Sequence, residues 1–233
     1  MSAGSVMGST TSIHEGRAGS IPSPALQSIR VQPIPFAAAR QIVVKHHYLH
    51  SLPGGTKLAF GTFLEGKLLG TITFGVGPYN AFALVDGACP DDCLTLTRLW
   101  LSEILPPNSE SRVISVCLRY LKKYTSLKFI MTYADPAQGH VGTIYQATGW
   151  RYIGLSEATP KYDIGDGVAR HSRSLAHAFG SHSLKYLSRH GLNVKVLLQI
   201  PKHRYVYFLD KTFRNRLRAP VLPYPKKETD ENH

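Results

Sequence analysis

The stretch from Lys128 to Gly154 constrains the fold more than any other part of the chain. A β-rich apolar run over 129–133 ends at Asp135 and a proline, which predicts a strand followed by a turn. Four side chains then recur with helical spacing and share one face: Val141, Ile144, Tyr145 and Thr148. Gly149 suits the left-handed end of that helix, and residues 150–153 alternate as a strand does. The pattern predicts a compact strand–loop–helix–strand unit, and it is equally typical of an ordinary βαβ element.

The remaining periodicity predicts one α/β domain with a mixed central sheet flanked by helices. Alternating or apolar runs predict strands at 29–34, 57–64, 68–74, 94–101, 194–200 and 205–209, with the last two forming a hairpin. Helical spacing predicts helices at 35–47 and from Asn108 or Ser109 onward. We expect a disordered arm at 1–24, a single catalytic domain at 25–218 and a loose tail at 219–233.

Composition favours a cytosolic protein with a real core and no membrane span. Hydrophobic residues make up 43% of the 233 residues, yet no apolar run approaches the ~20 residues that a spanning helix needs. The first residues lack a secretory signal pattern. Cys89, Cys93 and Cys117 form neither a disulfide framework nor a zinc motif, so we interpret them as free thiols in a reducing compartment.

The positive charge points to a polyanionic partner and is concentrated late in the chain. The formal net charge is +12 and the pI is about 9.7. Residues 161–218 hold twelve Lys and Arg against three Asp. Within them, 161–192 predicts a basic insertion with two short helices before the C-terminal strands. Its candidate DNA-binding side chains are Arg170, Arg173, Lys185 and Arg189; a merely solvated basic surface is the alternative.

Two further features are candidates for a site. Three histidines and a tyrosine fall within 46–50, which is either a helix end interacting with the helix dipole or a functional cluster. Arg98 is predicted to share a strand face with Leu94, Leu96 and Trp100. Because an unpaired buried charge is costly, Arg98 either pairs with Glu103 or Asp135, or recognises a phosphate, carboxylate or carbonyl oxygen.

The strand–helix unit at 128–154 resembles the last third of the GNAT acyltransferase fold, where these elements flank the thioester of an acyl-coenzyme A. In that fold the junction after the strand of Arg98 holds the coenzyme A pyrophosphate. This chain departs from the usual glycine-rich run there and has Asn108 to Val113 instead. Glu110 would repel a phosphate, which Arg112, Ser109 and Ser111 partly offset.

Four segments together resemble the Mom family of DNA-modification proteins from Mu-like phages: HHYLHSLPGGTKLAFGTFLEGKLLGTITFG, LTRLWLS, NSESRVISVCLRYLKKY and TYADPAQGHVGTIYQATGWRYIG. The resemblance implies a GNAT-like fold and transfer of a carbamoylmethyl group to the exocyclic amine of adenine in double-stranded DNA. It implies protection of phage DNA from host restriction, action in the host cytoplasm, and acetyl-coenzyme A and iron as cofactors.

The resemblance also implies the site residues. His47 and Tyr48, Asp135 and Tyr145 match the catalytic positions, and Arg98 with Ser111 or Ser115 matches the donor site, to which Arg112 is added. We expect a flipped adenine stacked on Tyr48 or Tyr79, a base of near-neutral pKa at His47 or Asp135, and Tyr145 protonating the departing thiolate. Iron ligation by His47, Tyr48 and Asp135 is a hypothesis, since the product carries a methylene on nitrogen.

Two other readings of the sequence stay open. A conventional GNAT N-acetyltransferase acting on a protein or small amine would need neither DNA nor metal, but its pyrophosphate loop should be better formed. A non-catalytic DNA-binding protein accounts for the charge, but not for Arg98 or the His-Tyr cluster. The sequence leaves a homodimer open as well.

Overall fold

The computed structural model describes residues 24–158 and 160–226, except the side chains of Pro24, His171 and Arg173. The strands are β1 (Arg30–Pro33), β2 (Thr56–Leu64), β3 (Lys67–Gly75), β4 (Cys93–Leu101), β5 (Phe129–Ala134), β6 (Arg151–Leu155), β7 (Pro160–Asp163), β8 (Arg170–His171), β9 (Lys195–Leu198) and β10 (His203–Phe208). The helices are α1 (Pro24–Gln27), α2 (Phe36–His46), α3 (Ser109–Tyr124), α4 (Thr143–Ala147), α5 (Ser172–Phe179) and α6 (Leu184–Arg189).

The central sheet has seven strands in the order β1-β2-β3-β4-β5-β10-β6. Only β4 and β5 run parallel, and their pairing stops at Thr95 and Met131 although both strands continue. The strands therefore splay apart beyond these residues. The sheet and its helices confirm the predicted mixed α/β class.

A bulge in β4 sits where this splay begins. Phe74 pairs with Leu96 and Thr73 pairs with Arg98, so Thr97 has no partner of its own in β3. The bulge shifts the alternation of the strand. Leu94 and Leu96, and beyond the bulge Leu99 and Leu101, all pack against one core. The predicted common face of Leu94, Leu96, Arg98 and Trp100 is therefore wrong beyond Leu96.

Two apolar cores lie on opposite faces of the sheet, because successive side chains of a strand point to opposite sides. The first core joins α3 and α4 to alternate residues such as Leu96, Ile130 and Tyr205. The second contains the residues between them, including Met131 and Val206. This separation lets side chains from neighbouring positions of β5 and β10 reach different faces.

The insertion contains two helices, as predicted, together with a small three-stranded sheet that the sequence did not predict. Its strands are ordered β8-β7-β9, and α5 and α6 lie between β8 and β9 in the chain. The predicted C-terminal hairpin is wrong, because β9 pairs with β7 whereas β10 enters the central sheet. Ser156 and Lys202 join the stems. The Ser156 amide donates to the Lys202 carbonyl at 2.8 Å, and the Lys202 amide donates to the Ser156 hydroxyl at 2.9 Å.

The predicted loose tail is wrong for its described part. The Leu222 amide bonds to the Tyr152 carbonyl at 2.9 Å, and the Tyr224 hydroxyl donates to the Trp150 carbonyl at 2.7 Å. The rest of the tail and nearly all of the predicted arm lie outside the described residues. Over 24–158 and 160–226, no helix combines the length and apolar character that crossing a membrane requires.

Candidate active site

A cavity of about 480 Å³ opens where β4 and β5 splay apart. It brings together five of the side chains that the sequence singled out: His47, Tyr48, Arg98, Asp135 and Tyr145. Residues from the first core, such as Leu96 and Ala134, form its apolar wall. The facing edges of the two strands are not paired as a ladder here, which leaves backbone groups for an extended ligand that lies between them. The Leu96 and Thr97 carbonyls already accept the Thr132 hydroxyl and Arg98, respectively.

His47 and Tyr48 enter the cavity from the end of α2. The His47 ring is 7% exposed and stacks on the Tyr48 ring with centroids 4.4 Å apart. Burial, and next the charge of Arg98, lower the pKa of His47 from 6.5 to about 4. His47 is therefore neutral at pH 7 and is a weaker base than the near-neutral one expected. Its Nδ1 accepts the Leu49 amide at 3.1 Å, which leaves the proton on Nε2.

Arg98 is held by carbonyl groups rather than by carboxylates. Its Nε donates to the Ser51 carbonyl at 2.8 Å, and its Nη1 donates to the Thr97 carbonyl at 2.6 Å. In the described part of the chain no ion pair joins it to Glu103 or Asp135. The guanidinium therefore retains its charge for a ligand at the splay, as the recognition alternative requires.

Asp135 follows β5 and is fixed at both oxygens. Its Oδ1 accepts the Ala137 amide at 3.1 Å, and its Oδ2 lies 2.7 Å from Nζ of Lys202. The expected aspartate is thus in the cavity, but it is paired with a lysine from the end of the insertion. Burial and the charge of Asp135 together raise the pKa of Tyr48.

Tyr145 is buried at the floor of the cavity. Burial raises its pKa to about 12, while a hydrogen bond with Thr132 opposes the increase. Its ring lies 5.4 Å from Trp150 and 5.5 Å from Tyr205, measured between centroids. The hydroxyl therefore holds its proton at neutral pH, which is the state that a proton donor needs.

Tyr205 sets the position of α4 and so of Tyr145. The Tyr205 hydroxyl donates to the Val141 carbonyl at 2.5 Å and accepts from Gln146 at 3.1 Å. Gly142 precedes α4 with a φ of 83° and packs directly on the Tyr205 ring. An added Cβ there would lie 2.4 Å from Tyr205 Cε2, so only glycine fits.

The predicted donor-binding residues on α3 are not brought together with this group. The cavity described above is lined by Glu110 but not by Ser111, Arg112 or Ser115. A second cavity on the other face of the sheet is not lined by these three residues either. Arg112 instead donates to the Gln27 carbonyl at 3.2 Å. The start of α3 carries no side-chain cap, so its amides remain the groups best suited to a pyrophosphate.

The residues suggested for iron do not fit a metal site as they are placed. The His47 lone pair accepts an amide, and both Asp135 oxygens are already bonded. Among residues 24–158 and 160–226, no cluster of three His, Cys, Asp or Glu has metal-binding geometry. Only the Tyr48 oxygen of the predicted set has no such partner, and one phenol does not hold an iron ion.

The four predicted DNA-binding residues fall in the insertion but differ in availability. Lys185 and Arg189 are exposed one turn apart on α6. Arg170 is engaged by Asp166 through two bonds of 2.5 and 2.7 Å. Arg173 lies on α5, and its side chain is outside the described part of the structure.

Sequence reasoning missed three polar residues of the cavity or its surroundings. His140 and Thr132 line it, and Lys202 holds Asp135. His140 is close to Asp135 in the sequence, which was a usable signal. No sequence signal indicated Lys202, because only the antiparallel pairing of β10 with β5 brings this residue next to Asp135. Of the two expected stacking residues, Tyr48 lines the cavity and Tyr79 does not.

Comparisons with known proteins place the chain among relatives over most of its length. The profile described as the Mom protein family matches residues 28–226. A protein named methylcarbamoylase mom from Escherichia phage Mu is 31% identical over 207 residues, covering 86% of this chain and 85% of the relative.

Solved acetyltransferases are similar at greater distance. An IAA acetyltransferase from Bacillus cereus is 10% identical, with a TM-score of 0.45 over 78% of this chain and 99% of that one. An N-acetyltransferase from Staphylococcus aureus is 12% identical, with a TM-score of 0.44 over 78% of this chain and 97% of that one.

Proposed function

The chain belongs to the Mom protein family, and from that premise we propose that it is a transferase that modifies DNA. The proposed reaction converts adenine in double-stranded DNA to N6-carbamoylmethyladenine. Modified phage DNA would then resist host restriction enzymes, and the enzyme would act in the host cytoplasm. The relative's name, methylcarbamoylase, supports the type of group transferred.

One observation carries the proposal at the level of the site. Five family-matched side chains from three separate parts of the sequence meet at one cavity, in the gap between two splayed strands. His47 is buried and neutral, and Tyr145 is buried and protonated. Neither group would be needed if the cluster were only a structural ion-pair network. The set therefore supports a reaction centre.

The splay suits an acyl-coenzyme A as donor. Its pantetheine arm carries amide groups, which match the unpaired backbone edges of β4 and β5. The start of α3 faces the pyrophosphate end, with Glu110 limiting how tightly that end is held. When bound, the donor would supply the two-carbon unit, and its thiol would leave when an amide nitrogen replaces it at the carbonyl carbon. Joining the donor's methyl carbon to N6 breaks one C–H and one N–H bond and removes two electrons, so the reaction also takes a two-electron oxidant and a nitrogen donor in addition to the residues of this cavity.

Each residue has a proposed role that follows from its contacts. Tyr145 keeps a proton at the sulfur end of the donor, because burial holds its pKa near 12. Arg98 stabilises negative charge on an oxygen at the splay. Asp135, oriented by Lys202, accepts a proton from the exocyclic amine. His47 donates a hydrogen bond from Nε2 rather than acting as the base.

The basic insertion is proposed to bind the DNA backbone. Lys185 and Arg189 are the most available of its predicted cations, and Arg173 belongs to the same proposal. Since adenine inside a duplex cannot reach a cavity, the base must be extruded before reaction.

The test is mass spectrometry of nucleosides from cells that express the chain. We expect a deoxyadenosine heavier by a carbamoylmethyl group. Tyr145→Phe should lower its yield by about 10²–10⁴-fold, the usual contribution of a general acid. Tyr124→Phe, at an exposed tyrosine of α3, is the matched control and should retain the product. An N6-acetyl product would contradict the proposed chemistry, and undiminished product from Tyr145→Phe would contradict the site.

A further inference from the structure

A second cavity of about 720 Å³ opens on the other face of the sheet. Its walls include Thr95, Met131, Tyr133 and Arg204, which alternate along their strands with residues of the first core. It shares five residues with the first cavity, namely Tyr48, Leu96, Thr97, Arg98 and Tyr133. The two cavities therefore meet at the splay from opposite sides.

Two residues of the second cavity carry buried polar atoms that have no partner among the described residues. The Arg204 Nε and the Thr95 hydroxyl are both inaccessible and make no hydrogen bond, although Arg204 also donates through Nη2 to the Ile153 carbonyl. Thr95 is 5% exposed. Solvent reaches neither atom, and Gly77 packs so closely on the Thr95 hydroxyl that an added Cβ would lie 2.0 Å from it. Neither atom is therefore available to a ligand, and Arg204 contributes through the charge of its guanidinium.

The charge of the two cavities differs. Arg98 lines both cavities, and Lys202 and Asp135 neutralise each other. Of the remaining charged side chains, the second cavity is lined by Arg204 and Glu157, and the first by Glu110 alone. The second cavity is thus the more favourable of the two for a ligand that carries a phosphate.

The other lining groups match a purine base. Asn80 and Gln199 place side-chain amides on the wall, and paired amide donors and acceptors complement the adenine edge. Tyr48 and Tyr133 supply aromatic surface for a base to stack on. The volume is within the range of small-molecule sites and exceeds what one base needs.

We propose that the second cavity is the binding site of the extruded adenine nucleotide, with Arg204, Asn80 and Gln199 as its recognition residues. This inference rests on the proposed function and adds the place and the specificity of the acceptor. The base enters from one face of the sheet, the donor lies on the other, and the exocyclic amine meets the donor at Thr97 and Arg98.

The insertion is connected to this site through its stems. Ser156 and Lys202, which close the insertion, both line the second cavity, as do the adjacent Glu157 and Gln199. DNA held by the insertion is therefore next to the mouth of the cavity. The same segment of the chain would therefore bind the DNA backbone and contact the extruded base.

Calorimetric titration of the full chain with 2′-deoxyadenosine 5′-monophosphate tests the inference. We expect saturable binding, with weaker binding of the thymidine nucleotide. Asn80→Ala, at an exposed loop position, and Arg204→Met should each weaken deoxyadenylate binding about tenfold or more. Arg119→Met, on the exposed side of α3, is the matched control and should bind normally. Thermal melting checks that Arg204→Met, which loses the bond to Ile153, still folds.

Unchanged binding by Asn80→Ala and Arg204→Met would overturn the inference, and so would no binding of the nucleotide at all. Competitive displacement by coenzyme A would also overturn it, because the nucleotide would then occupy the first cavity. The proposed function fails in a different way. Loss of the modified nucleoside with nucleotide binding intact counts against the reaction, and not against the pocket.

Discussion

Nζ of Lys202 lies 2.7 Å from Oδ2 of Asp135, which joins the end of the insertion to the candidate base. Both side chains are largely shielded, with 25% and 12% exposure. Lys202→Met should therefore leave a shielded carboxylate without its cation and lower kcat about tenfold, or about 1.4 kcal/mol. Lys202→Arg should restore much of the rate. Full turnover by Lys202→Met would contradict this positioning role.

The buried neutral state of His47 predicts an acid-sensitive fold. Its pKa is about 4 in the folded chain against 6.5 ordinarily, so above pH 6.5 neither state binds the proton. As the pH falls from 6.5 to 4, this histidine binds a proton in the unfolded chain but not in the folded one. The free energy of unfolding therefore decreases by up to about 3 kcal/mol over that range. Urea unfolding across that range measures it. His47→Gln should flatten the dependence, whereas His182→Gln, at an exposed position, should keep it.

Two glycines of the loop before α4 make a matched pair. Gly142→Ala combines a φ of 83° with a clash against Tyr205, so we expect a loss of about 1–3 kcal/mol and a displaced Tyr145. Gly139→Ala has a φ of 66° but open space around it, and should cost about 1 kcal/mol with activity retained. Chemical denaturation and the nucleoside assay measure both. Equal activity of the two variants would argue against the tight packing on Tyr205.

The salt dependence of DNA binding separates available from engaged cations. Lys185→Ala with Arg189→Ala should reduce the slope of log K against log salt by about 2, since each phosphate contact contributes about 1. Arg170→Ala should change the slope less, because Asp166 already pairs with that guanidinium. A larger effect at Arg170 than at the α6 pair would reverse this ranking.

Local pattern was sufficient to predict most of the central sheet. The hairpin of β2 and β3, the helix α3 and the strand–loop–helix unit around Asp135 each follow from periodicity over a few residues. The C-terminal hairpin was predicted wrongly, because β9 and β10 are adjacent in sequence but pair with strands far from them. The face of Arg98 was also mispredicted, since one extra residue at Thr97 reverses the alternation without a signature in composition.

The site residues also divide into those that the sequence indicates and those that only the tertiary structure reveals. His47, Tyr48, Asp135 and Tyr145 follow from the family resemblance, and the structure brings them to one cavity. Lys202 and Arg204 are ordinary members of a basic region until β10 pairs with β5. The depressed pKa of His47 likewise arises from burial and from Arg98, which are tertiary effects.

The position of β10 has a consequence for synthesis. This late strand lies between β5 and β6, so the sheet stays open until residues 203–208 have left the ribosome. Tyr205 and Lys202, which hold α4 and Asp135, arrive with it. A nascent chain without β10 therefore lacks the contacts that support its candidate site, and we expect it to be inactive.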